Sequence, residues 1–196
     1  MLNETIKKRL SPRAFSGKAI EEDVIISLFE AARWAPSGGN EQPWRFIFAS
    51  INDLENFNKI VDTMSEGNRA WARNAPLLII GITKLDRGIS KQLNKYAYYD
   101  LASAVAYLTI QATTVDLFVH QIGGFNPAII REQFEIPDNY DPAILLAVGY
   151  RGDPGTLPEN LRVRELAPRI RKPLEELVFS GKFGIINKNV SDETLK

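Results

Sequence analysis

In RLSPRAF, residues 9–15, Arg9, Ser11 and Arg13 alternate along the chain. Two guanidiniums flanking a hydroxyl can clamp a phosphate, each guanidinium presenting paired N–H donors and the hydroxyl another. Toward the far end, RIRKP carries Arg169 and Arg171, which point the same way on an extended backbone. Either pattern also describes a solvated charged face. Two glycine pairs lie between them. In PSGGN, Pro36, Ser37, Gly38 and Asn40 surround a pair where one glycine would stop a helix. A pair lets backbone approach a ligand closely, with Ser37 and Asn40 offering polar groups. In HQIGGFNP, Gly123 and Gly124 precede a helix start, where exposed N–H groups suit an acceptor on a ligand. A simple turn accounts for the same letters.

The missing residue types narrow the chemistry. The 196 residues include no cysteine and one histidine, His120. Disulfides, thiolate nucleophiles and multi-histidine metal sites are thereby excluded, and few side chains remain for proton shuttling near neutral pH. An enzyme of this composition draws its hard chemistry from an organic cofactor. Lys+Arg and Asp+Glu are equal at 24 each, so no global basic field gathers nucleic acid or anionic lipid. The opening MLNETIKKRL is too polar for a signal peptide, and no apolar run reaches the roughly 18 residues of a membrane span. The expectation is a cytoplasmic protein without membrane or nucleic-acid partners.

Interleaved helices and strands must position these residues. Acidic Glu21, Glu22 and Asp23 open a helix over 21–35, with Val24, Leu28, Ala31 and Ala32 at helical spacing. Residues 45–50 read as a strand and 52–65 as a helix capped by Asn52 or Asp53. APLLIIGIT (75–83) and PAILLAVGY (142–150) read as buried strands. The segment 98–118 is apolar on nearly every face, which predicts a helix buried all round, against a second subunit as well as its own core. Residues 127–136 form a further helix with Pro127 in its first turn. After RGDPG, the Pro- and Arg-rich stretch through Phe179 reads as an extended arm. Few strands among many helices make the class α/β or α+β.

Taken in order, RxSxRxF, PSGGNxQPW, GNRAWARNAPLLIIGI, HQIGGFNP, PAILLAVGYRGDP and RxRKPLEELV resemble the nitroreductase family of FMN-dependent oxidoreductases, over residues 4 to 180 or so. The resemblance implies an α+β fold of three-layer α/β type, a central mixed sheet flanked by helices, in an intertwined homodimer with one FMN at each of two interfaces. It implies a single domain over 1–196, with 155–196 as a C-terminal arm reaching the partner subunit. Carried over by motif, Arg9, Leu10, Ser11 and Arg13 hold the phosphate, ribityl chain and pyrimidine edge of FMN. Arg169 and Arg171 match a second basic pair on the phosphate, and Asn68 in GNRAW matches an asparagine on the pyrimidine. Gln121, Ile122, Gly123 and Gly124 match the strip along the reactive edge, where the glycine N–H groups reach N5 and O4. Pro36, Ser37, Gly38 and Asn40 match the loop that the other subunit lays against the flavin.

This chain has Gly123 where many bacterial relatives have a glutamate, and Trp71 where they have a lysine. The implied reaction is ping-pong: NAD(P)H gives a hydride to flavin N5 and leaves, and an acceptor such as a nitroaromatic or quinone takes two electrons. No side-chain acid or base is required, so no catalytic residue and no metal are assigned. Residues 84–99 are expected to roof the flavin, with Tyr96 and Tyr98 able to stack on a planar acceptor or simply to pack. Flavin reductase, dehalogenase and enone reductase activities remain alternatives, as does a flavin-binding dimer without turnover. An RNA-binding reading of LRVRELAPRIRKP lacks the aromatic interleaving that stacks bases.

Overall fold

The computed structural model describes residues 2–88 and 90–186. Ile89 of the expected roof and residues 187–196 of the expected arm lie outside the described residues. The chain opens with a short helix, α1 (Glu4–Lys8), capped by Asn3, whose side chain accepts from Thr5 N–H. Helix α2 (Glu22–Arg33) follows, with its acidic first turn, and a 3-10 turn at Gly38–Asn40 leads to strand β1 (Trp44–Ser50). Asp53 caps α3 (Leu54–Thr63), and α4 (Glu66–Ala72) precedes β2 (Leu77–Lys84). The hairpin β3 (Asp86–Arg87) and β4 (Gln92–Leu93) leads to the long helix α5 (Ala97–Thr114). Then come β5 (Leu117–Ile122), α6 (Pro127–Gln133), β6 (Tyr140–Tyr150) and α7 (Glu159–Leu166).

Of the two classes the interleaving leaves open, the α+β one implied by the resemblance is observed. Four strands form one sheet in the order β1-β2-β6-β5. All three pairings are antiparallel, so the mixed sheet implied by the resemblance would need a parallel strand from outside this set. Strand β2 is buried on both faces, as its uninterrupted apolar run requires. Leu77 and Ile79 face a core shared with α2 and α5, through Leu28, Leu101 and Leu108. Leu78 and Ile80 face the opposite core, with Phe57, Ile60, Trp71 and Ile130 from α3, α4 and α6. Helices, sheet and helices make three layers.

Several elements differ from expectation: α2, α3 and α6 are each a few residues shorter than read, and three larger differences have local reasons. The helix expected over 98–118 stops at Thr114: Asp116 takes a left-handed φ of 60° and the chain turns into β5. Leu117, Phe118 and the whole of His120–Ile122 are therefore strand, paired with β6, rather than helix and loop. Within one chain α5 is not buried all round, because Tyr99, Ala102, Ala106 and Tyr107 are exposed on its outer face. The expected extended arm contains α7, started by Pro158 and Glu159, seated by buried Leu161 and ended before Pro168. Among the described residues, no helix is long and apolar enough to cross a membrane.

Candidate functional site

The segment after α1 is fastened at several successive residues. Phe15 bridges Arg151, Gly152 N–H donates to Ala14 O at 2.8 Å and Ser16 N–H to Tyr150 O at 3.0 Å. A Cβ on Gly152 would lie 2.5 Å from the Phe15 carbonyl carbon, so only glycine permits this approach. One residue earlier, Arg13 N–H donates to Glu165 Oε2 of α7 at 2.8 Å. Earlier again, Pro12 O lies 2.8 Å from His120 Nδ1. Beyond α7, the Arg169 guanidinium donates to Arg9 O at 2.6 Å and to Lys7 O at 2.7 Å.

These fastenings converge six arginines. A hollow of about 380 Å³ is lined by Leu10, Ser11, Arg13, Arg151, Arg164 and Arg169, with Glu165 as its one carboxylate. Arg9 stands beside Arg169 and Arg171, and its Nη1 donates to Ser11 Oγ at 3.2 Å. Burial, then Arg171 and Arg169, push the Arg9 pKa down; burial, then Arg164, do the same to Arg13, against the opposing pull of Glu165. Among the described residues none of the six forms an ion pair with a carboxylate. Like charges gathered at such density are stabilised by a bound anion. Arg169 is committed to backbone carbonyls, whereas Arg171 donates only to its neighbour Ile170 O, leaving its other donors available.

The second group lies at the end of β5. Residues 63–65 run antiparallel to 124–126: Met64 bridges Phe125, Ser65 N–H donates to Gly124 O at 2.9 Å and Asn126 N–H to Thr63 O at 2.8 Å. This brings Asn68 Nδ2 within 3.1 Å of Gly124 O. A Cβ on Gly124 would lie 2.6 Å from Asn68 Nδ2, whereas one on Gly123 meets nothing within 4 Å. Both glycines are exposed residues, and neither N–H donates to anything among the described residues. Gln121 is exposed, but Ile122 is buried in the core, so only its backbone can face a ligand.

Trp71 takes no place at a ligand edge. It is 1% exposed, stacked on Phe15 at 6.3 Å and tilted against His120 at 4.4 Å between ring centroids. The Arg13 guanidinium lies 6.0 Å above its ring, so Trp71 supports a cation instead of supplying one. Sequence reading missed Arg151, Arg164, Glu165 and the fastening role of His120. The only signal for Arg164 was the arginine-rich stretch, read there as extended; helix α7 turns it toward Arg13.

The loop with the first glycine pair lies elsewhere. Gly39, Asn40 and Gln42 have φ of 62°, 56° and 44°. Gln42 N–H donates to Ser37 Oγ at 3.0 Å, and Gly38 N–H to Asp100 Oδ2 of α5 at 3.2 Å. Pro36 and Asn40 are exposed, while Ser37 and Gly38 are half-buried. Gly38 abuts the Tyr96 ring, and the Arg87 guanidinium sits 5.8 Å above that ring's centroid. Tyr98 O–H donates to Asp141 at 2.9 Å. The loop and the expected roof are thus neighbours in one chain, but among the described residues no hydrogen bond joins them to the arginine hollow.

The sequence and the fold both have close counterparts among known proteins. The family model named Nitroreductase family matches residues 6–62, from the arginine segment through α3. A crystal structure of an oxidoreductase containing FMN is 32% identical, aligns over 93% of each chain and superposes with a TM-score of 0.89. A nitroreductase family protein from Clostridium difficile 630 is 30% identical over 93% of this chain and 100% of its own, with a TM-score of 0.72. An Archaeoglobus fulgidus protein named "Putative NADH dehydrogenase/NAD(P)H nitroreductase" is 27% identical, over 76% of this chain and 84% of its own. With the six motifs in order, three helix–sheet–helix layers and full-length likeness to that Clostridium protein, this chain belongs to the nitroreductase family.

Proposed function

We propose that two copies of this chain form an FMN-dependent oxidoreductase that passes electrons from NAD(P)H to a small planar acceptor such as a nitroaromatic or quinone. The observation that carries the reading is an arginine hollow with no carboxylate ion pair among the described residues, tied through His120 to the strand that leads into Gly123 and Gly124, whose amides donate to nothing among the described residues. A phosphate at one end and hydrogen-bond acceptors on a ring at the other are the two features of FMN that such a surface fits. The crystal structure with FMN, alike over nearly the whole chain, supports the same cofactor.

When bound, FMN supplies a ring that accepts a hydride and gives up two electrons. The chain's own residues hold and tune it. Arg9, Arg13 and Arg171 neutralise the phosphate, with Ser11 Oγ and the backbone at Leu10 beside them, and Arg169 keeps the Arg9 backbone in place. Asn68 and the N–H groups of Gly123 and Gly124 line the ring edge. Donors fixed there before the reaction need no reorganisation as negative charge develops. Gly123, with open space above it, leaves room where a longer side chain would narrow the approach. The loop Pro36–Asn40 comes from the second copy, and residues 84–88 and 90–99 roof the open face. The exposed outer face of α5 and residues 155–186 carry that pairing. No side chain is assigned as acid or base.

An absorbance spectrum of the purified protein tests the reading, followed anaerobically as NADPH and then NADH are added. Flavin bands that bleach support it, and the two rates give the preferred donor. A yellow protein that neither nucleotide bleaches is a flavin carrier, and a colourless one that takes up no FMN overturns the cofactor.

A further inference from the structure

His120 is the one histidine of the chain, and the reaction proposed above makes no use of it. It lies on β5 directly before the Gln121–Gly124 strip, with its side chain half-buried. A carbonyl only accepts, so the 2.8 Å contact with Pro12 O puts the proton on Nδ1. The next residue, Arg13, carries the guanidinium closest to the imidazole in electrostatic effect, and its N–H is held by Glu165. Trp71 of α4 lies against the ring. The segment holding Arg9, Ser11 and Arg13 is therefore joined to β5 by this imidazole.

We infer that His120 is the positioning residue of the anion site, and that its protonation and the occupancy of that site are thermodynamically linked. Both protonation states keep Nδ1–H, so titration leaves the brace to Pro12 intact and adds a charge at Nε2. The charged groups facing the ring are Arg13 from the segment after α1 and Glu165 from α7, with the Ser11 and Pro12 backbone accepting from it. Without an anion, burial foremost, and then Arg13, outweigh these and lower the His120 pKa from its ordinary 6.5. A phosphate among the arginines offsets the cationic field and favours the imidazolium. By reciprocity, protonated His120 favours the phosphate to the same degree.

The sign for stability follows. The unfolded chain binds the proton more readily than the folded one, so the ligand-free protein loses stability as pH falls through about 6.5. Bound phosphate reduces that loss.

This inference rests on the anion-site reading, and its test keeps the two apart. The lone imidazole gives one set of NMR signals, so its tautomer and titration midpoint can be followed in the intact protein alone, with inorganic phosphate, and with FMN. The expected result is an Nδ1–H tautomer whose midpoint rises with phosphate. His120→Phe, which keeps the packing on Trp71, should weaken FMN binding about five- to tenfold and remove the His120 part of the pH dependence between about 5.5 and 7.5, leaving only that of the phosphate's own second ionisation at about pH 6. His120→Gln, which keeps a donor, should recover part of the affinity but none of the His120 part of the pH dependence. A midpoint unmoved by saturating phosphate overturns the linkage, and His120→Phe binding FMN as tightly as the parent overturns the positioning role. A midpoint that rises with phosphate in a protein that binds no FMN overturns the proposed function and leaves this inference standing.

Discussion

The arginine hollow and the loop at 36–42 both present donors to the outside, but they are built in opposite ways. The hollow gathers residues 9–13, 151 and 164–171, held by long-range bonds from His120, Glu165, Arg169 and Gly152. The loop is shaped by its own left-handed residues and the bond between Gln42 and Ser37, with Gly38 to Asp100 as its tie to α5. The difference follows from charge. Guanidiniums repel one another, so assembling them before a ligand arrives requires rigid backbone fastenings. A neutral glycine loop has no such repulsion to overcome.

Breaking the hollow should have the largest effect. Gly152→Ala forces a Cβ into the Phe15 backbone and should cost about 3 kcal/mol of stability, seen as a melting point lower by roughly 6–12 °C. An unchanged melting point would mean that the fastening at 14–16 is loose. Arg171→Ala removes a cation whose one hydrogen bond is to the neighbouring Ile170 O and, on the proposed phosphate site, should weaken FMN binding by about 1.5–3 kcal/mol at unaltered stability. Isothermal titration checks it, and an equal dissociation constant would mark Arg171 as merely solvated.

The two glycines of the strip sharpen the contrast within one motif. Gly124→Ala displaces Asn68 and should reduce FMN affinity by about 1 kcal/mol. Gly123→Ala meets nothing and should stay within about 0.5 kcal/mol of the parent in stability. Equal effects of the two would contradict the geometry around Gly124. On the loop side, Tyr98→Ala should change the ranking of acceptors in steady-state assays with FMN content intact, while Tyr98→Phe, losing only the bond to Asp141, should change it less. Identical kinetics with several acceptors would remove Tyr98 from the acceptor face.

Much of this was legible in order of residues alone, because helices and strands announce themselves by period and caps. The helix at α2, the buried strands β2 and β6, and Asp53 as a cap were readable from a few neighbouring letters. So were the donors: Arg9, Ser11 and Arg13 alternate, and glycine pairs mark close approach. The end of α5 was not, since Val115, Leu117 and Phe118 continue the apolar pattern on either side of Asp116 and only the left-handed φ of that residue divides helix from strand.

The sequence by itself determined which groups could bind an anion, where backbone could approach a ligand, and the absence of cysteine and of any second histidine from the chemistry. Tertiary structure alone decided that Arg151 and Arg164 join Arg13, that Trp71 is buried beneath it, that Arg169 braces a backbone while Arg171 does not, and that His120 fastens two segments. Short-range spacing encodes the period of an element and the chemistry of its side chains. Which side chains meet across 30, 100 or more residues depends on sheet pairing and helix packing, and no local pattern carries that information.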